Sequence, residues 1–267
     1  MACRKHRAKL IRPVTAEVQH KPKEETMPQA TEHLLFGVDS TTEATDLLQN
    51  NISLFQWVVR NKLYPAFWGR NIVGENPLTT QEIDSLHEHG CKIAAVLEVA
   101  KEKNTAAQGK DAALAALDAA FRLRIPIGTA LFLKIEETQN ATRDYMKGFA
   151  LTVLEANYTP GFIANTDAKY SFDREFSRGM QTDRDIFTRC MVWATAPSLK
   201  EYERVTTTHL IHPDNWVPFA PSGITRKEIA IWQYGRQCHP IYDDKEKEVT
   251  FNINLVRNKN VIKEKMF

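Results

Sequence analysis

Short apolar runs alternate with longer amphipathic or polar stretches from residue 34 onward. A short apolar run that closes on Gly, Asp, Asn or Ser is typical of a buried strand followed by a loop. Such runs predict strands within residues 34–41, 64–72, 91–99, 128–140, 160–165, 187–194, 228–235 and 248–256. The segment 209–220 fits neither pattern, and we expect a short strand with an irregular loop there.

Helical patterns lie between several of these runs. Thr79 and Glu82 have the spacing of a capping box, in which each side chain accepts from the other residue's backbone N–H, and Gly90 follows where the helix ends. An alanine-rich helix is predicted over residues 106–123. Its apolar positions share one face and are Leu114, Leu117 and Phe121.

Two further helices are predicted in the second half of the chain. Apolar residues spaced by four follow the strand at 128–140, and they are Tyr145, Phe149 and Val153. Pro197 opens a short helical pattern over residues 197–205, at a position where proline is tolerated.

The order strand, loop, helix, strand indicates a parallel sheet covered by helices. About eight such units in roughly 230 residues fit an α/β fold of the (β/α)8 TIM-barrel type, as a single domain over residues 31–267, better than an open doubly wound sheet. A glycine-rich phosphate loop is absent from the sequence, which weighs against the nucleotide-binding alternative. The sequence predicts neither a cofactor nor a metal site.

The first 30 residues differ from the rest of the chain, because they are basic, polar and proline-containing. We expect residues 1–30 to be a disordered tail, with a basic arm that contacts nucleic acid or an acidic surface as the alternative. This stretch has no apolar core of a secretory signal, and the sequence holds no run long enough for a membrane span. The net charge of the 267 residues, +2, is too small to favour nucleic acid or an anionic membrane across the whole surface.

Four cysteines are spread widely along the chain and form no CxxC pair. This spacing argues against a cysteine zinc site and favours free thiols, while one or two disulfides stay open.

Polar and aromatic side chains fall at the predicted C-terminal strand ends, where barrels of this type carry their sites. They are Asp39, Arg70, Glu98, Glu136, Asn165 and Trp193. Each alone has a structural explanation, such as a loop cap or a surface ion pair. Together they predict a pocket for a polar ligand.

The parity of the fourth strand separates its two terminal acids. Because side chains alternate between faces, Lys134 and Glu136 share one face and Glu137 points the other way, outward. A buried Glu136 could act as a general acid. Lys134, roughly 6–7 Å away along the strand, favours the ionised carboxylate instead, so a structural ion pair is the alternative.

Several stretches occur in the order found in a known group of barrels: "FGVDST", "FWGRNI", "PLTTQEIDSLHEHGCKI", "RIPIGTALFLKIEE", "YTPGFIAN" and "IAIWQYG…VTFNINLV". The chain resembles glycoside-hydrolase-like TIM barrels of unknown function that are related to the family-25 lysozymes (muramidases). The resemblance covers about residues 34–257 and implies cleavage or binding of an amino-sugar polysaccharide such as peptidoglycan.

Carried over by position, the resemblance implies Glu136 as catalytic acid and Asp39 as its partner. Lys134 stands where the lysozymes have the first aspartate of an Asp-x-Glu, and Asn252 stands where they have a late aspartate. Asp243 and Asp244 lie nearby in what looks like an exposed turn.

The remaining candidate residues are expected to bind substrate. Arg70, Asn165 and Gln233 would hydrogen-bond sugar hydroxyls, Trp193 and Trp232 would stack on sugar rings, and Glu98 would line the same site.

Three functions stay open at this point: a glycosidase, a catalytically altered barrel that binds glycan without hydrolysis, and an interaction protein that uses the basic tail. The expected partner is a polysaccharide, with neither nucleic acid nor membrane expected. The compartment stays open, since the missing signal suggests the cytoplasm and the resemblance suggests export. The sequence leaves the oligomeric state open as well.

Overall fold

A computed structural model describes residues 33–48, 51–99, 103–202, 204–205, 213, 215–240 and 249–267. The predicted tail, residues 1–30, lies outside these ranges and stays a prediction. Asp243, Asp244, Cys3 and residues 209–212 and 214 of the segment 209–220 also lie outside them. Among the described cysteines, Cys91 and Cys190 are free thiols.

The described strands form a closed barrel with a short extension. They are β1 (Leu35–Asp39), β2 (Phe67–Val73), β3 (Lys92–Leu97), β4 (Ala130–Ile135), β5 (Thr159–Ala164), β6 (Met191–Ala194), β7 (Lys200–Glu201), β8 (Arg204–Val205), β9 (Ile229–Pro240) and β10 (Phe251–Val256). The hydrogen-bonded order is β10-β1-β2-β3-β4-β5-β6-β9, and pairing of β9 with β10 closes the barrel. The predicted TIM-type barrel is therefore confirmed.

The described helices cover the outside of the barrel. They are α1 (Leu54–Arg60), α2 (Thr80–Glu88), α3 (Ala106–Arg122), α4 (Arg143–Glu155), α5 (Ser171–Thr182), α6 (Arg184–Phe187) and α7 (Lys259–Lys265). Within the described ranges, none of these helices has the length and apolar character that a bilayer span requires.

The barrel departs from eight regular β/α units in its last quarter. Strand β10 runs antiparallel to both neighbours, β1 and β9. The helix predicted over 197–205 is wrong, because β7 and β8 form there and pair with β9. Strand β9 is 12 residues long and extends beyond the barrel. Its projecting edge offers backbone groups that a strand can pair with and a helix cannot.

Large apolar side chains fill the interior of the barrel. The interior cluster includes Phe67, Ala94, Val96, Phe132, Ile163, Trp193, Ile231 and Val256. The ring of Trp193 packs edge-on against Phe67 and Phe132, with centroids 5.9 and 5.4 Å away. The barrel is thus a packed core, and polar groups have room only at its ends.

Helix α3 packs with a different face from the one predicted. Its buried positions are Gly109, Ala112, Ala113, Ala116, Ala119 and Ala120, whereas Phe121 is 83% exposed and Leu114 is 48% exposed. A Cβ at Gly109 would approach the carbonyl oxygen of Tyr145 to 2.0 Å. The backbones of α3 and α4 therefore approach so closely that only small residues fit between them. On α4, the predicted residues Tyr145, Phe149 and Val153 are buried.

Candidate functional site

A cleft opens at the C-terminal ends of the parallel strands. It encloses a cavity of about 160 Å³. Its lining is mostly polar and includes Asp39, Asn71, Lys134, Glu136, Glu137, Asn165, Gln233, Arg236 and Asn252. Strands β1, β2, β3 and β4 are adjacent and parallel. Their C-terminal ends therefore lie together at one end of the barrel, where the pocket was predicted.

Asp39, the last residue of β1, is held by two amides of β10. The side-chain amides of Asn252 and Asn254 donate to its two carboxylate oxygens, each at 2.7 Å. Asn254 in turn accepts from the indole N–H of Trp193 at 2.9 Å. Burial raises the pKa of Asp39 above its ordinary value, although both amide bonds and the charge of Lys134 oppose this. Asn254 therefore links Asp39 to Trp193 of the barrel core, and this link fixes the orientation of the Asp39 carboxylate.

Gly69 on β2 makes this arrangement possible. A Cβ at this position would lie 2.6 Å from Cβ of Asp39 and 2.9 Å from the ring of Trp193. Both distances are shorter than side-chain carbons tolerate, so only glycine lets Asp39 and Trp193 occupy the space beside β2.

Lys134, on the inner face of β4, carries a positive charge into the cleft. Its Nζ lies 2.7 Å from Glu136 and 3.2 Å from Glu98, which also accepts from the Asn71 amide. Burial alone would lower the pKa of Lys134, but the charges and hydrogen bonds of Glu136 and Glu98 outweigh it and raise that pKa. Lys134 is therefore a cation at neutral pH, and the parity that placed Lys134 and Glu136 on one face agrees with their contact.

Glu137 does not point outward, so that prediction is wrong. Its Oε1 accepts from the amide of Asn165 at 2.7 Å and from Arg236 at 2.6 Å. Partial burial alone would raise the pKa of Glu137, but these two donors and the charge of Arg236 lower it. Strand β4 ends at Ile135, so alternation no longer fixes the direction of Glu137, and both glutamates line the cleft.

Arg70 lies behind the cleft and makes no part of its lining. It is fully buried and pairs with Glu82 at 2.7 Å. Its remaining donors bind the backbone oxygens of Ser40, Thr41 and Asn76. The expectation that Arg70 binds sugar hydroxyls is therefore corrected, because its donors are used inside the protein.

The capping box predicted for α2 forms only in part, because the side chain of Glu82 is used in the pair with Arg70. The Thr79 hydroxyl accepts from the backbone N–H of Glu82 at 3.2 Å, as expected. The Glu82 side chain, instead of returning to Thr79, turns inward to Arg70 and accepts from the N–H of Ala44. Buried Arg70 requires a carboxylate, and Glu82 supplies it.

Trp193 and Trp232 are both fully buried, so neither ring has a free face for a sugar. Trp193 belongs to the barrel core. Trp232 lies on the opposite face of the sheet, where its N–H donates to the carbonyl of Pro197 and its ring packs against Trp216. The stacking roles predicted for these residues are corrected by their burial.

The other predicted residues divide between the cleft wall and the layer behind it. Asn165 and Gln233 line the cavity together with Asp39 and Glu136. Glu98 is behind this lining and reaches the cleft through its contact with Lys134. Their roles in binding or catalysis stay predictions.

Arg236 and Asn254 are site residues that the sequence prediction missed. Asn254 could have been found, since it is two residues from Asn252 in "FNINLV" and must share its face. Arg236 could not, because β9 and β10 shift register near Gly235. Gln237 next to it has a φ of +48°. Such irregularity changes which face a side chain occupies.

The cleft combines two carboxylates held by amides, an ammonium between two further carboxylates, and side-chain amides that already bind carboxylates, those of Asn71, Asn165 and Asn252. In the part of the chain that the structure describes, no group of three His, Cys, Asp or Glu side chains is arranged to hold a metal ion. The side chains that line the cleft supply hydrogen bonding, ion pairing and proton transfer.

The sequence model of the Rv2525c-like, glycoside hydrolase-like domain matches residues 65–253. A 1.07 Å crystal structure of an uncharacterized B. stearothermophilus protein is similar, with 23% identity, coverage of 87% of this chain and 100% of that chain, and a TM-score of 0.71. No curated protein sequence has a significant match to this chain.

A second solved structure has the same fold at lower similarity. It is the catalytic domain of endolysin ply40 from bacteriophage P40 of Listeria monocytogenes, with 12% identity, coverage of 88% of this chain and 98% of that chain, and a TM-score of 0.52. At these identities the two solved structures show a common fold.

Proposed function

Because the chain belongs to the Rv2525c-like, glycoside hydrolase-like domain family, we propose that its cleft binds an amino-sugar polysaccharide such as peptidoglycan without hydrolysing it. The observation that carries this proposal is the position of Lys134, whose ammonium lies 2.7 Å from Glu136 and 3.2 Å from Glu98. The similarity to the endolysin catalytic domain supports a cell-wall glycan as the ligand class.

Hydrolysis of a glycosidic bond requires two carboxyl groups in complementary roles, one that delivers a proton and one that acts as carboxylate. Glu136 is engaged by an ammonium that remains charged at neutral pH, since the pKa of Lys134 is raised. Asp39 is engaged by Asn252 and Asn254 on both oxygens. Both carboxyl groups that would act on the substrate are therefore already bound by other side chains of the protein.

The same cleft is well suited to binding. Asn71, Asn165, Gln233 and Asn252 bring amide groups to the lining. Three of them already donate to Glu98, Glu137 and Asp39, but a side-chain amide has two donors and two acceptor sites, so it can bind a sugar hydroxyl or acetamido group as well. The cavity of about 160 Å³ is well above the roughly 10–15 Å³ that a single water molecule needs. It therefore accommodates one ring or substituent, and a longer glycan would continue along the rim.

A second candidate function, slow hydrolysis, is favoured by one observation. Burial raises the pKa of Asp39, and Asp39 and Glu136 line the same cleft, as the two carboxyl groups of a glycosidase do. Product release from glycan separates this candidate from the binding proposal.

Co-sedimentation with insoluble peptidoglycan tests the binding proposal. Wild type should sediment with the polymer, and Glu136→Gln should weaken binding by about tenfold, the effect of losing one hydrogen bond to a charged group. Glu155→Gln is the matched control, because Glu155 is exposed at the end of α4, away from the cleft lining. Equal sedimentation of wild type and Glu136→Gln, or none by wild type, would show the proposal to be wrong.

A further inference from the structure

Lys103 is a buried lysine beside the cleft that does not belong to its lining. It is 2% exposed and precedes Thr105, the N-cap of α3. Its Nζ donates to the carbonyl of Val99 at 2.7 Å and to Oε1 of Gln139 at 2.5 Å. A lysine seldom becomes this buried unless its ammonium has partners that the structure needs.

Gln139 connects this ammonium to the residue at the centre of the site. The same Oε1 that accepts from Lys103 also accepts from the backbone N–H of Glu136 at 3.0 Å. The backbone N–H of Gln139 returns to the carbonyl of Glu136 at 2.9 Å. The turn from Glu136 to Gln139 is therefore closed on itself and tied at one atom to Lys103.

The backbone of Lys103 holds the other end of the same loop. Its carbonyl accepts from the N–H of Thr142 at 2.8 Å, and Thr142 is the N-cap of α4. Both the side chain and the main chain of Lys103 thus contact the segment 136–142 between β4 and α4. This segment carries Glu136 and Glu137 into the cleft.

We infer that Lys103 is a positioning residue, which holds the turn from Glu136 to Gln139 in the conformation that binds glycan. The binding part of this inference rests on the proposed function. The positioning part concerns the chain alone and is measurable without a ligand.

The charge of Lys103 is sensitive to pH in an accessible range. Burial lowers its pKa to about 8, with the charges of Glu136 and Glu98 opposing that shift. Among the described residues, these are the charged groups that act on it. Above this pH the amine is neutral and its hydrogen bonds lose their charge assistance. The hold on the turn, and with it glycan binding, should weaken as pH rises through about 8.

The test compares Lys103→Met, which keeps the length and removes charge and donors, with Lys110→Met, an exposed lysine on α3 as control. Hydrogen exchange of the Glu136 amide is read by NMR. Lys103→Met should speed that exchange by about fivefold or more, the effect of one lost charged hydrogen bond. Lys110→Met should leave it unchanged. Unchanged exchange in Lys103→Met would overturn the inference.

Peptidoglycan binding is then measured at pH 7 and 9.5 on the same proteins. Wild type and Lys110→Met should bind about fivefold more weakly at the higher pH, and Lys103→Met should bind weakly at both. A profile for Lys103→Met that matches wild type would overturn the inference. Faster exchange together with no glycan binding by wild type would remove the proposed function and still support the positioning role.

Gln139→Ala provides a second variant that acts through the same connection. If Lys103 works through Gln139, adding Lys103→Met to Gln139→Ala should change the Glu136 exchange rate by less than twofold. Additive effects of the two substitutions would overturn the proposed route.

Discussion

Two basic side chains of the barrel strands each lie 2.7 Å from a glutamate, and the two pairs differ in almost every other respect. Arg70 and Glu82 have fully buried side chains. Lys134 and Glu136 have side chains that are 32% and 39% exposed, in a cleft. The sealed pair cannot lose one partner without leaving a buried charge unpaired, whereas the accessible pair keeps both of its charges at the cleft.

The sealed pair should give the largest change in stability. Glu82→Gln leaves the guanidinium of Arg70 buried without a carboxylate, which costs about 3–5 kcal/mol of unfolding free energy. Chemical denaturation with a linear extrapolation measures this loss. A loss below about 1 kcal/mol would place the buried pair in the same class as an exposed one and remove the contrast.

Replacing the cation in the cleft should give an intermediate change. Lys134→Asp puts a third carboxylate beside Glu98 and Glu136, and repulsion should destabilise the fold by about 1–3 kcal/mol. Lys110→Asp, on the exposed face of α3, is the control and should change stability by less than about 0.5 kcal/mol. Equal unfolding midpoints for the two variants would show that Lys134 is not needed to offset its neighbours.

Substitution of Glu137 should give a smaller loss of unfolding free energy, and this loss should depend on pH. Its pKa is lowered in the folded protein, so its contribution to stability is present above the ordinary value of 4.5 and is lost as pH falls through the lowered pKa. Glu137→Gln should therefore lower stability by about 0.5–1 kcal/mol at pH 7. The difference from wild type should shrink below pH 4.5, and a difference that grows on acidification would contradict the contact with Arg236.

Glu136→Gln should change stability least. The side chain of Glu136 is 39% exposed, and ion pairs this accessible contribute about 0–1 kcal/mol. Thermal and chemical unfolding should thus barely distinguish the variant from wild type, although the same substitution at Glu82 is the most damaging. A loss of about 3 kcal/mol at Glu136 would mean that its carboxylate has a structural role.

The strand pattern predicted the barrel and the rim, because alternation of faces holds wherever a strand is regular. It predicted the contact of Lys134 with Glu136, because Glu136 keeps the alternation for one residue beyond the end of β4 at Ile135. It placed Glu137 wrongly, because the chain turns there and this side chain enters the cleft as well. Side-chain direction after a strand depends on the turn, which the pattern of apolar residues does not specify.

Residue type was a poor guide to accessibility in three places. Arg70 near the end of a run suggested a surface or ligand contact, yet it is sealed by Glu82. Trp193 and Trp232 suggested stacking faces, yet both pack into apolar layers. Burial of such side chains depends on neighbours that are distant in sequence, so it becomes visible only in the folded chain.

Helix α3 shows the same limitation on the outside of the barrel. Its leucines and phenylalanine form a regular face, but the close approach of α4 requires alanine and glycine at the contact. The helix itself was predicted correctly. Its orientation was not, since small residues give a weak hydrophobic signal even where packing is tightest.

The central claim is that the ion pair of Lys134 with Glu136 leaves a cleft that binds glycan and does not cleave it. Reducing ends released from peptidoglycan, measured over a long incubation, test this most directly. Wild type should release none above a heat-inactivated blank, while the combined Lys134→Asp and Asn252→Asp variant, which restores the two acids of the lysozyme pattern, should release them. Release by wild type that stops on Glu136→Gln would contradict the claim and identify the protein as a hydrolase.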